Sequence, residues 1–175
     1  MMRLAAIAAV FVVSAAASAQ VVLGLAHERD RAALRQAEAV QAAPAPVPAA
    51  PATGEAASIV KAADGHFWAE ASVGGHEVRF LVDTGASAVA LTPTDAERLG
   101  IDPQSLNYAF TVITASGQAK AAEVNLPSVT VGGAEVDNVR AYVIQSGLTN
   151  SLLGMTYLGR LSQFEATQSA LILRP

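Results

Sequence analysis

A carboxylate follows an apolar run in the stretch Phe80-Leu81-Val82-Asp83-Thr84-Gly85-Ala86-Ser87. Apolar residues alternate with other residues from position 77 to position 82, which is the period of a half-buried strand. The strand would deliver Asp83 to its C-terminal end, where Gly85 allows a sharp turn and a close approach of other groups. A carboxylate with the Thr84 hydroxyl beside it is placed for acid/base chemistry rather than for packing.

An ordinary turn is the alternative interpretation of this stretch, because Asp, Thr and Gly all favour turns. Turns usually have polar neighbours, whereas this motif has large apolar residues before it and a second apolar run, residues 89–91, just after it. The flanking residues therefore favour a functional loop that is held by rigid strands.

The stretch resembles the active-site loop of aspartic proteases, and its single copy in a short chain resembles the retropepsin-like branch. A second motif, Ser151-Leu152-Leu153-Gly154-Met155, matches the apolar-apolar-Gly element that those folds place beside the catalytic loop. Residues 58–174 are similar to the bacterial membrane-anchored, retropepsin-like (clan AA) family. The resemblance implies an all-β fold, a small closed acid-protease barrel with one or two short helices, preceded by an N-terminal membrane helix.

The resemblance also implies the roles of individual residues. Asp83 would be the catalytic residue, and Thr84 would brace two paired loops by hydrogen bonding across a two-fold axis. The remaining members of the active-site loop would be Gly85, Ala86 and Ser87. The supporting motif would be Leu152, Leu153 and Gly154, and the possible flap, which excludes water and holds a peptide as an added strand, would carry Ser116 and Gly117.

Hydrolysis of a peptide by carboxylates needs two of them close together, one ionised and one protonated, so the pair shares a proton. The chain has one Asp-Thr-Gly motif, and the other aspartates of residues 58–175 lack its setting: Asp64, Asp95, Asp102 and Asp137. The second carboxylate would therefore come from another copy of the chain through a two-fold axis, which predicts a homodimer. Tethering both copies to one membrane would favour their pairing.

The predicted function is that of an aspartic endopeptidase that hydrolyses a protein or peptide substrate by water-mediated general acid/base catalysis, without a cofactor. The alternative is a non-catalytic module of the same fold that binds extended peptides in the cell envelope. A retroelement protease released from a polyprotein conflicts with the apolar N-terminal segment and with the spacer that follows it.

Composition excludes several other classes of function. The formal net charge is -4 and no cluster of lysine or arginine occurs, so a nucleic-acid footprint is absent. The count of Cys is 0, which removes disulfides, zinc-thiolate sites and thiol nucleophiles. His27, His66 and His76 do not have metal-ligand spacing, and Ser87 has no histidine partner motif that would make it a nucleophile.

The N-terminal segment predicts export from the cytoplasm. Residues 4–26 are uncharged and apolar, long enough to cross a bilayer as a helix, and Arg3 precedes them. The small residues 17–19 also fit a signal-peptidase site, so residues 1–26 are a transmembrane anchor or a signal segment. The family resemblance favours a single-pass anchor in the inner membrane with the protease domain in the periplasm, and an exported soluble periplasmic protein is the alternative.

The rest of the chain divides into a linker and one folded domain. Residues 27–57 are rich in alanine and proline, which predicts an extended spacer, and residues 58–175 read as the retropepsin-like domain. Thr92, Pro93 and Gly100 predict the N-cap, first turn and end of a short helix. Other predicted elements are hairpins at 66–82, 110–124, 128–144 and 164–173, and one or two helical turns within 152–160.

Overall fold

The computed structural model describes residues 50–175, which form β-strands joined by short turns and two short helices. The strands are β1 (Thr53–Gly54), β2 (Ala57–Val60), β3 (Trp68–Val73), β4 (His76–Val82), β5 (Val89–Leu91), β6 (Phe110–Thr114), β7 (Gly117–Val131), β8 (Ala134–Ile144), β9 (Leu152–Leu153), β10 (Gln163–Ala166) and β11 (Ala170–Arg174). The helices are α1 (Pro93–Arg98) and α2 (Met155–Leu158), and a single 3-10 turn spans Pro103–Ser105. The prediction of a mostly β domain with few short helices is confirmed.

The N-terminal membrane segment that the sequence predicts lies outside the described residues, as does most of the predicted linker. Within residues 50–175, no helix is long and apolar enough to cross a membrane.

A closed ring of strands forms the centre of the domain. Pairing runs from β8 to β5, β9, β4, β3 and β7, and β7 pairs with β8 again. Large, fully buried side chains come from the strands of the ring and from α2, and they include Phe80, Leu91, Leu126, Leu153, Tyr157 and Leu158. A second sheet of three strands, in the order β10-β11-β2, lies apart from this ring in the pairing pattern. The ring is the closed barrel that the sequence predicts.

The hairpin of β3 and β4 carries the apolar alternation that the sequence indicates. Ala69 pairs with Phe80 and Ala71 with Val78, and all four side chains are buried. Gly74 and Gly75 both have positive φ, 56° and 90°, which a two-residue turn between twisted strands favours. The hairpin therefore presents one face to the core and ends at residue 82 on the edge of the active-site loop.

Strand β7 differs from the prediction, because it is one strand where the sequence indicates two. Pro127 interrupts the apolar pattern and has no N–H to give to a ladder. The register passes from Leu126 opposite Val139 to Ser128 opposite Asp137, so the ladder skips the pair of Pro127 and Asn138. Asn138 takes a φ of 50°, and this local irregularity accommodates the proline without ending the strand.

The two helices follow local signals. Thr92 caps α1 and accepts a hydrogen bond from the Asp95 N–H, Pro93 lies in the first turn, and Gly100 follows the end with a φ of 76°. The first two residues of the predicted helical turns at 152–160 form strand β9 instead, because they pair with β4 and β5, and α2 begins only at Met155. The Tyr157 hydroxyl donates to the Ala134 carbonyl at 2.9 Å, and burial raises the pKa of Tyr157.

Ordered structure begins earlier than the predicted start of the domain at residue 58. Strand β1 lies within the stretch assigned to the linker and pairs with the start of β8. The Arg160 side chain donates to the Ala50 carbonyl, and the Ala52 N–H donates to the Arg160 carbonyl at 3.0 Å. The last residues of the alanine- and proline-rich stretch are therefore bound to the barrel, and the sequence could not show these long-range hydrogen bonds.

Candidate active site

Strand β4 ends at Asp83, and the apolar-apolar-Gly motif lies directly beside it. Leu81 pairs with Leu152 and Val82 with Leu153 in a parallel ladder. The Asp83 N–H donates to the Leu153 carbonyl at 3.2 Å. The structure thus brings together two motifs that are far apart in sequence, which confirms that they are neighbours in the fold.

The loop turns back on the carboxylate of Asp83. Asp83 Oδ1 accepts a hydrogen bond from the Gly85 N–H at 2.8 Å, and the backbone carbonyl of Asp83 accepts one from the Ala86 N–H at 3.2 Å. Thr84 and Gly85 form the turn that the sequence predicts, and Gly85 makes it without a positive φ. A Cβ at residue 85 would lie 3.2 Å from Asp83 Oδ1, which is the only heavy atom within 4 Å of it beyond the adjacent residues. The absence of a side chain at Gly85 therefore keeps space beside the carboxylate.

The other end of the loop is held by the residues around Gly154. The Met155 N–H donates to the Ala86 carbonyl at 2.9 Å, and the Val89 N–H donates to Thr156 Oγ1 at 2.8 Å. Sequence reasoning missed Thr156, because its partner is 67 positions away in the chain. The loop is therefore fastened by β9 on one side and by the start of α2 on the other.

Gly154 is required at this crossing for steric reasons. A Cβ at this position would lie 2.2 Å from the Ala88 carbonyl oxygen and 2.7 Å from the Ala86 carbonyl oxygen. Both atoms belong to the backbone at the C-terminal end of the active-site loop, at residues 86 and 88, so they can move only if that segment moves. The contact couples the conformation of the loop to residue 154.

Gly154→Ala is therefore expected to lower the free energy of unfolding by about 3 kcal/mol, at the upper end of the usual range for overpacking, and to displace the loop. Chemical denaturation measures this change. Gly65→Ala is the control, because a Cβ there meets nothing within 4 Å and only its positive φ is unfavourable. Equal effects of the two substitutions would contradict the steric requirement at Gly154.

A groove of about 820 Å³ opens in front of the Asp83 carboxylate. One wall is the active-site loop with Leu81 and Leu152, and the other includes the tip of the β6–β7 hairpin with Ser116 and the segment Gly147–Asn150. Asp83 is the only charged residue that lines it within residues 50–175. The volume and the apolar walls suit an extended peptide with apolar side chains.

The predicted flap corresponds to the β6–β7 hairpin. Ser116 lines the groove, and the tip between the two strands consists of residues 115–116, because Gly117 already begins β7. Ile113 is 87% exposed, and the base of the hairpin is fixed by an edge-to-face contact of Phe110 with Tyr142 at 5.5 Å. Burial, together with a hydrogen bond to Glu123, raises the pKa of Tyr142.

The other aspartates and the histidines do not form a second centre. The backbone N–H of His66 and then the Trp68 indole lower the pKa of Asp64, which keeps that carboxylate ionised on the surface. Asp95 is buried beside Arg98 rather than in the groove. Within residues 50–175, no group of three or more histidine, aspartate or glutamate side chains could hold a metal ion.

A closed β-barrel that carries one Asp-Thr-Gly loop against an apolar-apolar-Gly strand defines the retropepsin-like class of fold. The family model described as "gag-polyprotein putative aspartyl protease" matches residues 69–160. A retropepsin-like aspartic protease from Rickettsia conorii has 41% identical residues and a TM-score of 0.63, over 70% of this chain and 92% of that one. The chain belongs to the retropepsin-like aspartic protease family.

Two curated relatives carry no assigned activity. An uncharacterized protein from the cobV 5' region of Sinorhizobium sp is 44% identical over 117 residues, which cover 66% of this chain and 50% of that protein. An uncharacterized protein of Rickettsia prowazekii (strain Madrid E) is 44% identical over 115 residues, which cover 66% of this chain and 49% of that protein. The chain thus spans about half the length of the curated relatives it matches.

Proposed function

We propose that this chain is an aspartic endopeptidase in which Asp83 and its counterpart from a second copy hydrolyse a peptide bond. The observation that carries the proposal is the position of Asp83, which is the one charged residue among residues 50–175 that lines a peptide-sized groove. Family membership supports the class of reaction, and the geometry supports the assignment of Asp83 as the catalytic group.

The reaction needs a base and an acid that act on the same peptide bond. The ionised carboxylate takes a proton from a water molecule, whose oxygen attacks the carbonyl carbon, while the protonated carboxylate donates its proton to the carbonyl oxygen. The tetrahedral intermediate then collapses. The carboxylate that took the proton from water gives it to the amide nitrogen, the C–N bond breaks, and the other carboxylate takes back the proton of the former carbonyl oxygen. Only the two carboxylates, water and the peptide take part in these steps, so the mechanism requires no cofactor.

Two copies would meet through the exposed part of the active-site loop. Thr84 and Gly85 are exposed, while Asp83 behind them is partly covered. A two-fold axis beside these residues would bring the two carboxylates together and would let each Thr84 hydroxyl bond the opposite loop. The β6–β7 hairpin of each copy would then close over a bound peptide as an added strand.

A peptide-binding module of the cell envelope is the second candidate function, and the groove alone would serve it equally well. Binding of an apolar peptide gains nothing from a lone carboxylate in an apolar groove, so Asp83 favours catalysis. A cleavage assay on the purified full chain in mild detergent, across the pH range from 3 to 8, distinguishes the two candidates. Saturable binding of peptides without cleavage at any pH would favour the binding module.

We also propose that residues 1–26 anchor the chain in the inner membrane and that the catalytic domain lies in the periplasm. The apolar run at 4–26, the preceding Arg3 and the proline-rich spacer support this placement. Protease added to spheroplasts is expected to digest the domain, while a cytoplasmic marker protein stays intact. Protection of the domain until the membrane is lysed would contradict the placement, and a mature chain that begins at Gln20 would indicate cleavage instead of anchoring.

A further inference from the structure

Asp95 is a buried carboxylate that the proposed mechanism does not use. It is 8% exposed, and both carboxylate oxygens accept hydrogen bonds. Oδ2 accepts from the Ser151 hydroxyl at 2.6 Å and from the Thr92 hydroxyl at 2.9 Å, and Oδ1 accepts from Arg98 at 2.7 Å. Three side-chain donors therefore converge on one carboxylate, which is the arrangement that keeps a buried charge stable.

Ser151 joins this carboxylate to the strand beside the active-site loop. It is 0% exposed, its hydroxyl accepts from the Thr92 N–H at 3.0 Å while donating to Asp95, and it comes directly before β9. Its carbonyl accepts from the Leu81 N–H at 2.9 Å. Two residues further along the same two strands, the Asp83 N–H donates to the Leu153 carbonyl.

We propose that Asp95, acting through Ser151, is a positioning residue that sets the register of β9 against β4 and thereby the place of Asp83. The proposal rests on the proposed function, since it assigns a role in the reaction that Asp83 would perform. The path contains two side chains and two backbone hydrogen bonds, and each of its contacts is 3.2 Å or shorter.

The length of β9 explains why a side-chain anchor is needed there. The strand has two residues, with two paired positions on β4 and one on β5. So short a ladder specifies its register weakly. A slip of β9 by one residue would nevertheless turn both of its side chains to the other face of the sheet. A buried, hydrogen-bonded carboxylate is a directional contact, and it selects one register where apolar packing alone tolerates several.

The test compares Asp95→Asn with Asp102→Asn in the full chain. Asp102 is the matched control, because it also caps a short turn through its side chain, by accepting from the Gln104 N–H at 2.9 Å, but has no contact with β9. Asp95→Asn places an amide donor among three donors, and it is expected to lower kcat about 10- to 100-fold with little change in KM. Asp102→Asn is expected to leave both constants unchanged.

Ser151→Ala supplies a second variant if Asp95→Asn does not fold. It removes the connecting hydroxyl and is expected to lower kcat in the same way. Because both residues act along one path, the double variant is expected to be as active as the less active of the two single variants. Losses that multiply would show that the residues act independently and would overturn the proposal.

Amide hydrogen exchange gives a readout that does not depend on activity. In Asp95→Asn, exchange is expected to accelerate at the N–H groups of Leu81 and Asp83, by about 10-fold or more relative to those in β7 and β8. A uniform increase over all strands would mean that Asp95 contributes only to global stability, and no increase would mean that it does not hold β9 against β4. Either result would overturn the positioning role. If the wild-type chain cleaves no peptide, the proposed function fails, while the exchange pattern still decides the role of Asp95.

Discussion

Asp83→Asn is expected to remove peptide cleavage while leaving the fold intact. The amide of asparagine has the shape of the carboxylate and its oxygen can still accept the hydrogen bond from the Gly85 N–H, which is 2.8 Å long in the wild-type loop. It cannot take a proton from water or share one with a second carboxylate. Turnover should therefore fall by about 10²- to 10⁴-fold or more.

The measurement is the initial rate of cleavage of a peptide substrate, with thermal unfolding of each variant as a check of the fold. Asp137→Asn is the matched control, because Asp137 is exposed and lies outside the groove. It should leave turnover unchanged. Cleavage by Asp83→Asn at the wild-type rate would refute the assignment of the catalytic residue, whereas a lower melting temperature with loss of activity would show a defect of folding.

The pH dependence of cleavage should also follow from the proton that the two carboxylates share. The reaction needs one proton shared by two carboxylates, so the rate declines when pH rises until both are ionised and also when pH falls until both are protonated. An optimum on the acid side of neutrality is expected from a bell-shaped profile of kcat/KM. A profile that keeps rising above neutral pH would indicate a different general base.

Local patterns in the sequence predict the parts of the fold that depend on nearby residues. The apolar alternation at 77–82 and the turn at Gly74-Gly75 predict the hairpin that carries Asp83. Thr92, Pro93 and Gly100 predict α1, because a cap, a first turn and a positive φ are properties of single positions. The neighbouring positions of the two motifs followed from the resemblance, since periodicity does not show which strands pair.

Contacts between distant residues lie beyond such reasoning. Asp95 reads as an ordinary residue of a short helix, and its partner Ser151 is 56 positions away. Pro127 indicates a strand break in the sequence, because local patterns do not show its position opposite Asn138 of β8. The ladder omits this one pair and continues on both sides of it. The sequence also does not show that Ala50 binds Arg160, so it sets the start of the domain too late.

Activity should also depend on the pairing of two chains, because each barrel supplies one carboxylate to its groove. In dilute solution, the rate per chain should rise with the concentration of the chain and reach a plateau when dimers predominate. Sedimentation at the same concentrations should show the change from monomer to dimer. A constant rate per chain across a range in which the protein is monomeric would contradict a shared active site.

Mixing wild-type chains with Asp83→Asn chains tests the shared site more directly. Mixed dimers hold one carboxylate, so they lack either the base or the acid. If the chains exchange at random, an equal mixture should retain about half of the activity per wild-type chain, and a ninefold excess of the variant about one tenth. Asp137→Asn chains added in the same amounts should raise the total rate instead, because they contribute Asp83. Full activity of wild-type chains in a large excess of Asp83→Asn would mean that one barrel is sufficient for cleavage, and the second acid would then have to come from within the same chain.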